Sequence, residues 1–309
     1  AGFNLFKTLF DIVGDQTNIF EVKLEPLKKA PQSDITQKLG IEMRRFEGGY
    51  RFMMGSQSNE KGRLRNEQLR HVELRKPFEL SSHEITNQQY WAFKKPQQQD
   101  VSKAMLPVSN ITWLEAALFC NWLSLQQGLE AFYQFENGVY KSFNSDATGY
   151  RLPSEAEWEW VARHGAHQNR KLTRFVWGDD IVLSKNVGNL AGVEARGKAR
   201  YIIPNYDDGY ANLAPVGQFV PNIFGIYDLA GNVSEWTHDL YDVGTSSNEV
   251  EIDPMGVLYP NVETAHKHVV KGSNFLSGHL RELRAAFRMS EDQANSMIGF
   301  RIARWYSID

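Results

Sequence analysis

The chain has 309 residues, 42% hydrophobic and 12% aromatic, enough for a real core; this excludes the low-hydrophobicity, high-charge pattern of disorder. Its net charge is −3 with the two signs interspersed, so neither a nucleic-acid footprint nor a basic face for an anionic membrane is advertised. No run approaches the roughly 20 apolar residues of a membrane-spanning helix.

Residues 1–14, AGFNLFKTLFDIVG, space Phe3, Phe6, Leu9, Phe10 and Val13 at three- and four-residue steps, which predicts a short amphipathic helix. Packing on its own domain is the plain expectation for it; docking on a partner or a membrane surface is the other. The charged, Pro-containing stretch up to residue 40 reads as an extended arm. The division is therefore an N-terminal helix and arm over 1–40 and one domain over 41–309. The chain begins at Ala1, which fits removal of a leader and equally a trimmed end.

From residue 41 the texture changes. MRRFEGGYRFMMGS predicts a strand, a Gly-Gly turn and a second strand, and HVELRKPFELSSHEIT predicts two more extended runs. TNQQYWAFKK predicts a capped helix with Tyr90 and Phe93 on one face, and residues 112–126 the next helix, with Leu114, Ala117, Leu118 and Trp122 as its apolar stripe. Cys120, the one cysteine, falls among these residues and reads as buried and inert; alone, it makes no internal disulfide and says little about redox compartment. In YRLPSEAEWEWVARHG, Ser154 and Glu157 form a capping box, Ala156, Trp160 and Val161 the buried side, and Gly165 the stop. Beyond 165 no helical period survives. The class is α+β, with three short helices and long loops on a small twisted sheet, and loops of that length suggest a bound metal.

Three constellations could carry chemistry. In YDLAGNVSEWT, Asp228 and Glu235 bracket a glycine turn, so carboxylates and backbone carbonyls can converge as the six to eight oxygens of a calcium site, at roughly 2.3–2.6 Å. NLAG at 189–192 with NYDDGYAN at 205–212 offers further oxygens, although Asp-Gly is above all a turn signal. In VVKGSNFLSGHLRELRAAFR, Ser277 lies near His266, His268 and His279, but there is no nucleophile elbow and no zinc spacing. No phosphate-binding glycine loop is present.

The blocks FEGGYRFMMGS, HVELRKPFELSSHEITNQQYWAF, LPVSNITWLEAALFCNWLS, YRLPSEAEWEWVARHG, APVGQFVPNIFGIYDLAGNVSEWT and VVKGSNF…LRAAFR…IGFRIAR occur in order over about 41–305. Together they resemble the formylglycine-generating enzyme (sulfatase-modifying factor) family. The resemblance implies a single large domain, a loop-rich variant of the C-type lectin fold, usually exported or lumenal. Its catalytic members bind Cu(I) between two cysteines near the C-terminus and oxidise a substrate cysteine to formylglycine with O2. Here Ser277 occupies the first cysteine position and the second has no counterpart, so no copper is expected: a hydroxyl is a poor ligand for Cu(I) and cannot supply thiolate redox chemistry. Two family calcium sites do carry over, one on Asn189, Leu190, Asp208 and Tyr210, the other on Asp228, Gly231, Val233 and Glu235, implying one or two Ca2+ ions.

The resulting expectation is a non-catalytic, calcium-stabilised binding or structural subunit of an exported assembly, periplasmic or outer-membrane associated. Its partner would be another protein or peptide, met by Asn274, Phe275, Ser277, His279, Arg281 and Arg284 around the old cleft, with membrane proximity through the N-terminal segment. Non-catalytic relatives, among them gliding-associated lipoproteins and ligand-binding variable proteins, give loss of the cysteines a precedent. The competing expectation is a metal-dependent oxidoreductase of unrecognised mechanism using the same cleft. Family relatives that use non-haem iron take its ligands from an additional helical domain, which residues 1–40 could not supply.

Overall fold

The computed structural model describes residues 34–243, 249–256 and 267–307; the helix expected over 1–14, most of the arm and His266 lie outside them. The first described element, α1 (Ile35–Leu39), corrects the extended reading of the arm's end. The Asp34 carboxylate caps it by accepting the Thr36 and Gln37 N–H groups, and Gly40 ends it in the left-handed region at φ +66°. Gln127 donates a side-chain hydrogen bond to Asp34 at 3.3 Å, so this end of the arm docks on the domain.

Three further helices begin where the sequence places them, and each opens with a capping box, of which only the one at Ser154 is read from the sequence. Thr86 with Gln89 opens α2 (Asn87–Lys94), Thr112 with Glu115 opens α3 (Trp113–Gln126), and Ser154 with Glu157 opens α4 (Glu155–His164). Helix α3 is turned from the expected stripe: Trp113, Ala116, Ala117, Phe119, Cys120, Leu123 and Ser124 are buried, while Leu114, Leu118 and Trp122 are only half-buried. Helix α4 has no exposed side at all, and its acids and Arg163 are as buried as Trp158 and Trp160. Such charges must be paired. Fully buried Arg151 accordingly donates two hydrogen bonds to the carboxylate of Glu157, at 2.7 and 2.6 Å.

The strands are β1 (Met43–Phe46), β2 (Tyr50–Met54), β3 (Arg70–Leu74), β4 (Phe78–Ser81), β5 (Tyr133–Glu136), β6 (Val139–Phe143), β7 (Ser234–Leu240), β8 (Val250–Ile252), β9 (His268–Lys271), β10 (Arg288–Glu291), β11 (Ile298–Gly299) and β12 (Ala303–Trp305). They form sheets of order β1-β4-β12, β10-β9-β7-β11 and β2-β3-β8, with β5 and β6 as a separate hairpin. The hairpin expected from MRRFEGGYRFMM does not form: β1 pairs with β4 and β2 with β3, so the Gly-Gly link carries the chain from one sheet to another. Gly48 sits at φ +79°, where a Cβ would come within 2.3 Å of the Arg75 carbonyl oxygen. Glycine is there for the close crossing of two links.

The core runs between these sheets and α3 and α4, with Trp158, Trp236, Phe78, Phe119, Phe132 and Phe300 fully buried. Among the described residues no helix is long and apolar enough to cross a membrane. Between 165 and 233 the described chain has one short 3-10 turn, Val193–Ala195, and no named strand; this loop region frames the candidate site.

Candidate functional site

After β9 the chain turns at Gly272, φ +81°, where a Cβ would press on the Trp158 ring at 3.0 Å. The residues that follow knit themselves into a turn. The Asn274 N–H donates to Ser277 Oγ at 3.1 Å and the Ser277 N–H donates back to the Asn274 carbonyl at 2.9 Å. Asn274 Nδ2 donates to Ser234 Oγ, and the Ser277 carbonyl accepts from the Ala191 N–H. Ser277 is 5% exposed, and its hydroxyl serves the turn. A nucleophilic serine needs a base on its hydroxyl. His279 instead meets the edge of the Tyr201 ring at 5.1 Å and accepts from the Arg281 N–H.

The expected recognition face contracts accordingly. Asn274 and Ser277 are buried in the turn, while Phe275, His279 and Arg281 remain partly exposed beside exposed Tyr201. Arg284 does not belong to the face, which is a correction. It is 1% exposed and donates to both oxygens of Glu67, to Glu60 and to the Gly62 carbonyl. Its charge had to be paired on the way into the core, and both acids come from a loop more than 200 residues earlier.

Behind the turn, the two oxygen-rich loops pack backbone on backbone. A Cβ on Gly188 would meet the Ala230 carbonyl oxygen at 1.6 Å, and one on Gly231 that of Asn189 at 2.0 Å. Asn189 Nδ2 donates to the Asn212 carbonyl and to Asn232 Oδ1, and the Asn232 N–H donates to the Asn189 carbonyl. Asn189 is fully buried, yet its Oδ1 has no hydrogen-bond partner. Asp208 accepts from the Leu190 and Tyr210 N–H groups, which brings all four residues of this set together. Burial pushes the Asp208 carboxyl up to about 6, with Glu194 and Asp207 adding to it. Glu194, missed in the sequence, also carries a buried unpartnered oxygen, Oε2. These loose oxygens fit a hard cation.

The second set is mixed. Asp228, at φ +59°, accepts from the Gly217 N–H through Oδ2, while its buried Oδ1 has no partner. Burial pushes this carboxyl up to about 6 as well, with the Glu235 charge a lesser contribution. Glu235 is not a spare ligand: it accepts two hydrogen bonds from Arg301, both at 2.7 Å, and one from the Trp158 indole N–H at 2.9 Å. Glu84, also missed in the sequence, accepts from Asn232 Nδ2 and the Val233 N–H, and burial beside Asp228 and Glu235 holds its carboxyl well above the usual range. One arginine thus faces three buried acids. In the first set Asn189 Oδ1 and Glu194 Oε2 are free for a cation while both Asp208 oxygens accept backbone N–H groups; in the second, Asp228 Oδ1 is free and Glu235 is already committed.

His268 and His279 do not assemble. His268 stacks on Trp113 at 3.7 Å in the core, away from the Tyr201 ring that His279 meets, and among the described residues no three His, Cys, Asp or Glu side chains form a metal-binding group. Burial pushes the Cys120 thiol far above its ordinary value, which leaves it unreactive.

Comparison with known proteins agrees with this geometry. Residues 30–306 match the family model of the FGE-sulfatase, or sulfatase-modifying factor enzyme 1-like, domain. The formylglycine-generating enzyme of Thermomonospora curvata is 31% identical over 212 residues, 64% of this chain and 55% of that protein. The inactive C-alpha-formylglycine-generating enzyme 2 of Mus musculus is 33% identical over 141 residues, 45% of this chain and 34% of that protein. The formylglycine-generating enzymes first matched are covered over about half of their own length. Treponema denticola variable protein 1 shares the fold at a TM-score of 0.65 and 21% identity, covering 85% of this chain and 94% of that one. The α+β, loop-rich fold is thus the one the sequence blocks imply, and the chain belongs to the family of sulfatase-modifying factor enzyme 1-like domains.

Proposed function

We propose that this chain is a non-catalytic, calcium-stabilised binding subunit built on the formylglycine-generating scaffold. The observation that carries the reading is Ser277: this residue, which the family resemblance aligns with the first reactive cysteine, has its hydroxyl tied into a turn, and the one thiol of the chain, Cys120, is buried in α3. Copper(I) coordination between two thiolates has no ligands here. The precedent is a relative of the same family whose name declares it inactive.

Calcium would be held by Asn189, Leu190, Asp208 and Tyr210, with Glu194 as an added acid, and at a second position by Asp228 with Gly231 and Val233. When bound, it would neutralise the acids and tie down loops that lack a ladder of their own. The partner is a protein or peptide that meets the surface of Phe275, His279, Arg281 and Tyr201, since loops on a rigid scaffold are where binding surfaces sit. An exported setting, periplasmic or at the outer membrane, belongs to the same reading.

Elemental mass spectrometry of the natively purified, undialysed protein tests it. One or two calcium ions per chain with no copper or iron is the expected result. Stoichiometric copper or iron overturns it in favour of an oxidoreductase.

A further inference from the structure

Two short cationic segments border the Ser277 turn. A Cβ on Gly62 would lie 3.3 Å from the Arg281 Cα, which sets the loop 61–65, KGRLR, against one side of the turn. On the other side a Cβ on Gly278 would meet the Tyr201 carbonyl oxygen at 2.1 Å, and the His279 ring meets the Tyr201 ring edge-on. The Arg200 guanidinium lies 5.3 Å from the centre of that same ring. Residues 196–203 therefore form a second rim, with Arg196 and Lys198 beside Arg200 in the sequence.

The charges on this face are one-sided. Residues 61–65, 196–203 and 275–282 hold seven Lys and Arg against one acid, Glu282. The flanking acids are otherwise engaged. Glu60 and Glu67 hold Arg284, Glu194 and Asp208 sit in the oxygen-rich loop behind the turn, and Asp207 accepts the Gly209 N–H. Arg63 donates to the Ser56 carbonyl and Lys198 to Asn212. The heads of Lys61, Arg65, Arg196, Arg200 and Arg281 have neither an ion pair nor a hydrogen-bond acceptor among the described residues. Arg45, Arg51 and Arg75, exposed too, each hold a carboxylate. Between the rims the floor is apolar: Phe275, Leu276 and Leu280 are half-buried, and Leu280 packs on the cluster of Phe175, Leu190, Tyr206 and Leu283. A lone surface cation is simply solvated. Cations that border an apolar strip differ, because a ligand covering the strip excludes water and strengthens the ion pairs at its edge.

We propose that this face binds an extended acidic segment of a protein, with carboxylates on the two rims and apolar side chains on Phe275, Leu276 and Leu280. A lysine-rich segment would be repelled. A nucleic acid would meet aliphatic Leu276 and Leu280 between the rims, where a strand needs stacking planes along a continuous cationic track. The choice of a peptide rests on the binding reading given above; the acidic class rests on the charges of this face, and neither depends on calcium.

The test is fluorescence anisotropy with the natively purified full chain and a labelled peptide of about ten residues alternating glutamate and leucine, at about 50 and about 500 mM salt. Peptides with glutamine or lysine in place of glutamate are the charge controls, and a labelled oligothymidylate is the nucleic-acid control. The glutamate peptide is expected to bind on the order of tenfold tighter than the glutamine one at low salt and to lose that advantage at high salt. Lys61→Glu, Arg200→Glu and Arg281→Glu should each weaken it about fivefold, while Lys38→Glu, on exposed α1, leaves it unchanged. Equal binding of the glutamate and glutamine peptides, tighter binding of oligothymidylate, or undiminished binding in the triple variant overturns the proposal. No saturable binding of any peptide overturns the face itself. If the glutamine or lysine peptide binds best and the triple variant still weakens it, the acidic class is overturned while the peptide-binding face stands. Failure of the non-catalytic reading shows separately, as copper or iron in the purified protein.

Discussion

Arg301 grips both oxygens of Glu235 at 2.7 Å, deep in the core, and donates besides to the carbonyls of Ser81 and Tyr227. One side chain near the C-terminus thereby ties the end of β4 to the loop that carries Asp228. Replacing it by Leu would leave the buried Glu235 charge with only the Trp158 N–H. Arg301→Leu is expected to destabilise the fold by roughly 3–5 kcal/mol. Urea denaturation followed by tryptophan fluorescence measures it, and a loss below about 1 kcal/mol would show that the pair contributes little.

The two raised aspartates give the proposed calcium sites a pH signature. Asp208 and Asp228 titrate near 6 in the folded chain against about 3.9 unfolded, so between those values the folded state binds more protons. Their contribution is thus favourable at low pH and is lost as pH rises through 6. Metal-free protein should lose stability over this window, an effect that Asp228→Asn reduces. Added calcium should raise the melting temperature at pH 7 and do little near pH 4. Equal melting temperatures with calcium and with chelator at pH 7 would sink the calcium reading.

Ser277 contributes a turn hydrogen bond. Ser277→Ala is expected to lose about 0.5–1.5 kcal/mol in equilibrium unfolding. Ser277→Cys introduces one thiol without a second beside it, so it should retain no stoichiometric copper after Cu(I) loading and desalting. Tight one-to-one copper in that variant would mean that a further ligand waits in the cleft.

Arg281 and Arg284 stand three residues apart in the sequence and should behave oppositely. Arg284→Ala strands buried Glu67, and a loss of roughly 3–5 kcal/mol is expected. Arg281→Ala removes a partly exposed charge and should change stability by about 0.5 kcal/mol or less. Comparable losses in the two variants would refute the assignment of Arg281 to the open surface.

Much of the scaffold is legible in the sequence because its signals are local. Thr86–Gln89, Thr112–Glu115 and Ser154–Glu157 each close a box within four residues, and each starts a helix in the structure. The oxygen-rich loops announce themselves through Asn, Asp and Gly in the same way. Glu84 and Glu194 escape such reading, since each is one acid in an ordinary-looking segment until Asn232 or Asp208 comes to lie beside it.

By itself the sequence determined the family, the helix starts and the oxygen-rich loops. Only the tertiary structure decided that Gly48 links two sheets rather than closing a hairpin, that α4 is buried on every side, that Arg284 is a core residue, and that Arg301 occupies Glu235. The division follows from range. A cap or a turn is satisfied by neighbours three or four residues away, whereas strand partners and the counter-charges of buried groups come from segments more than 220 residues apart, as with Trp305 opposite Phe78 and Arg304 on Glu79. A charged side chain reads as solvent-facing until the fold shows which opposite charge travels into the core with it.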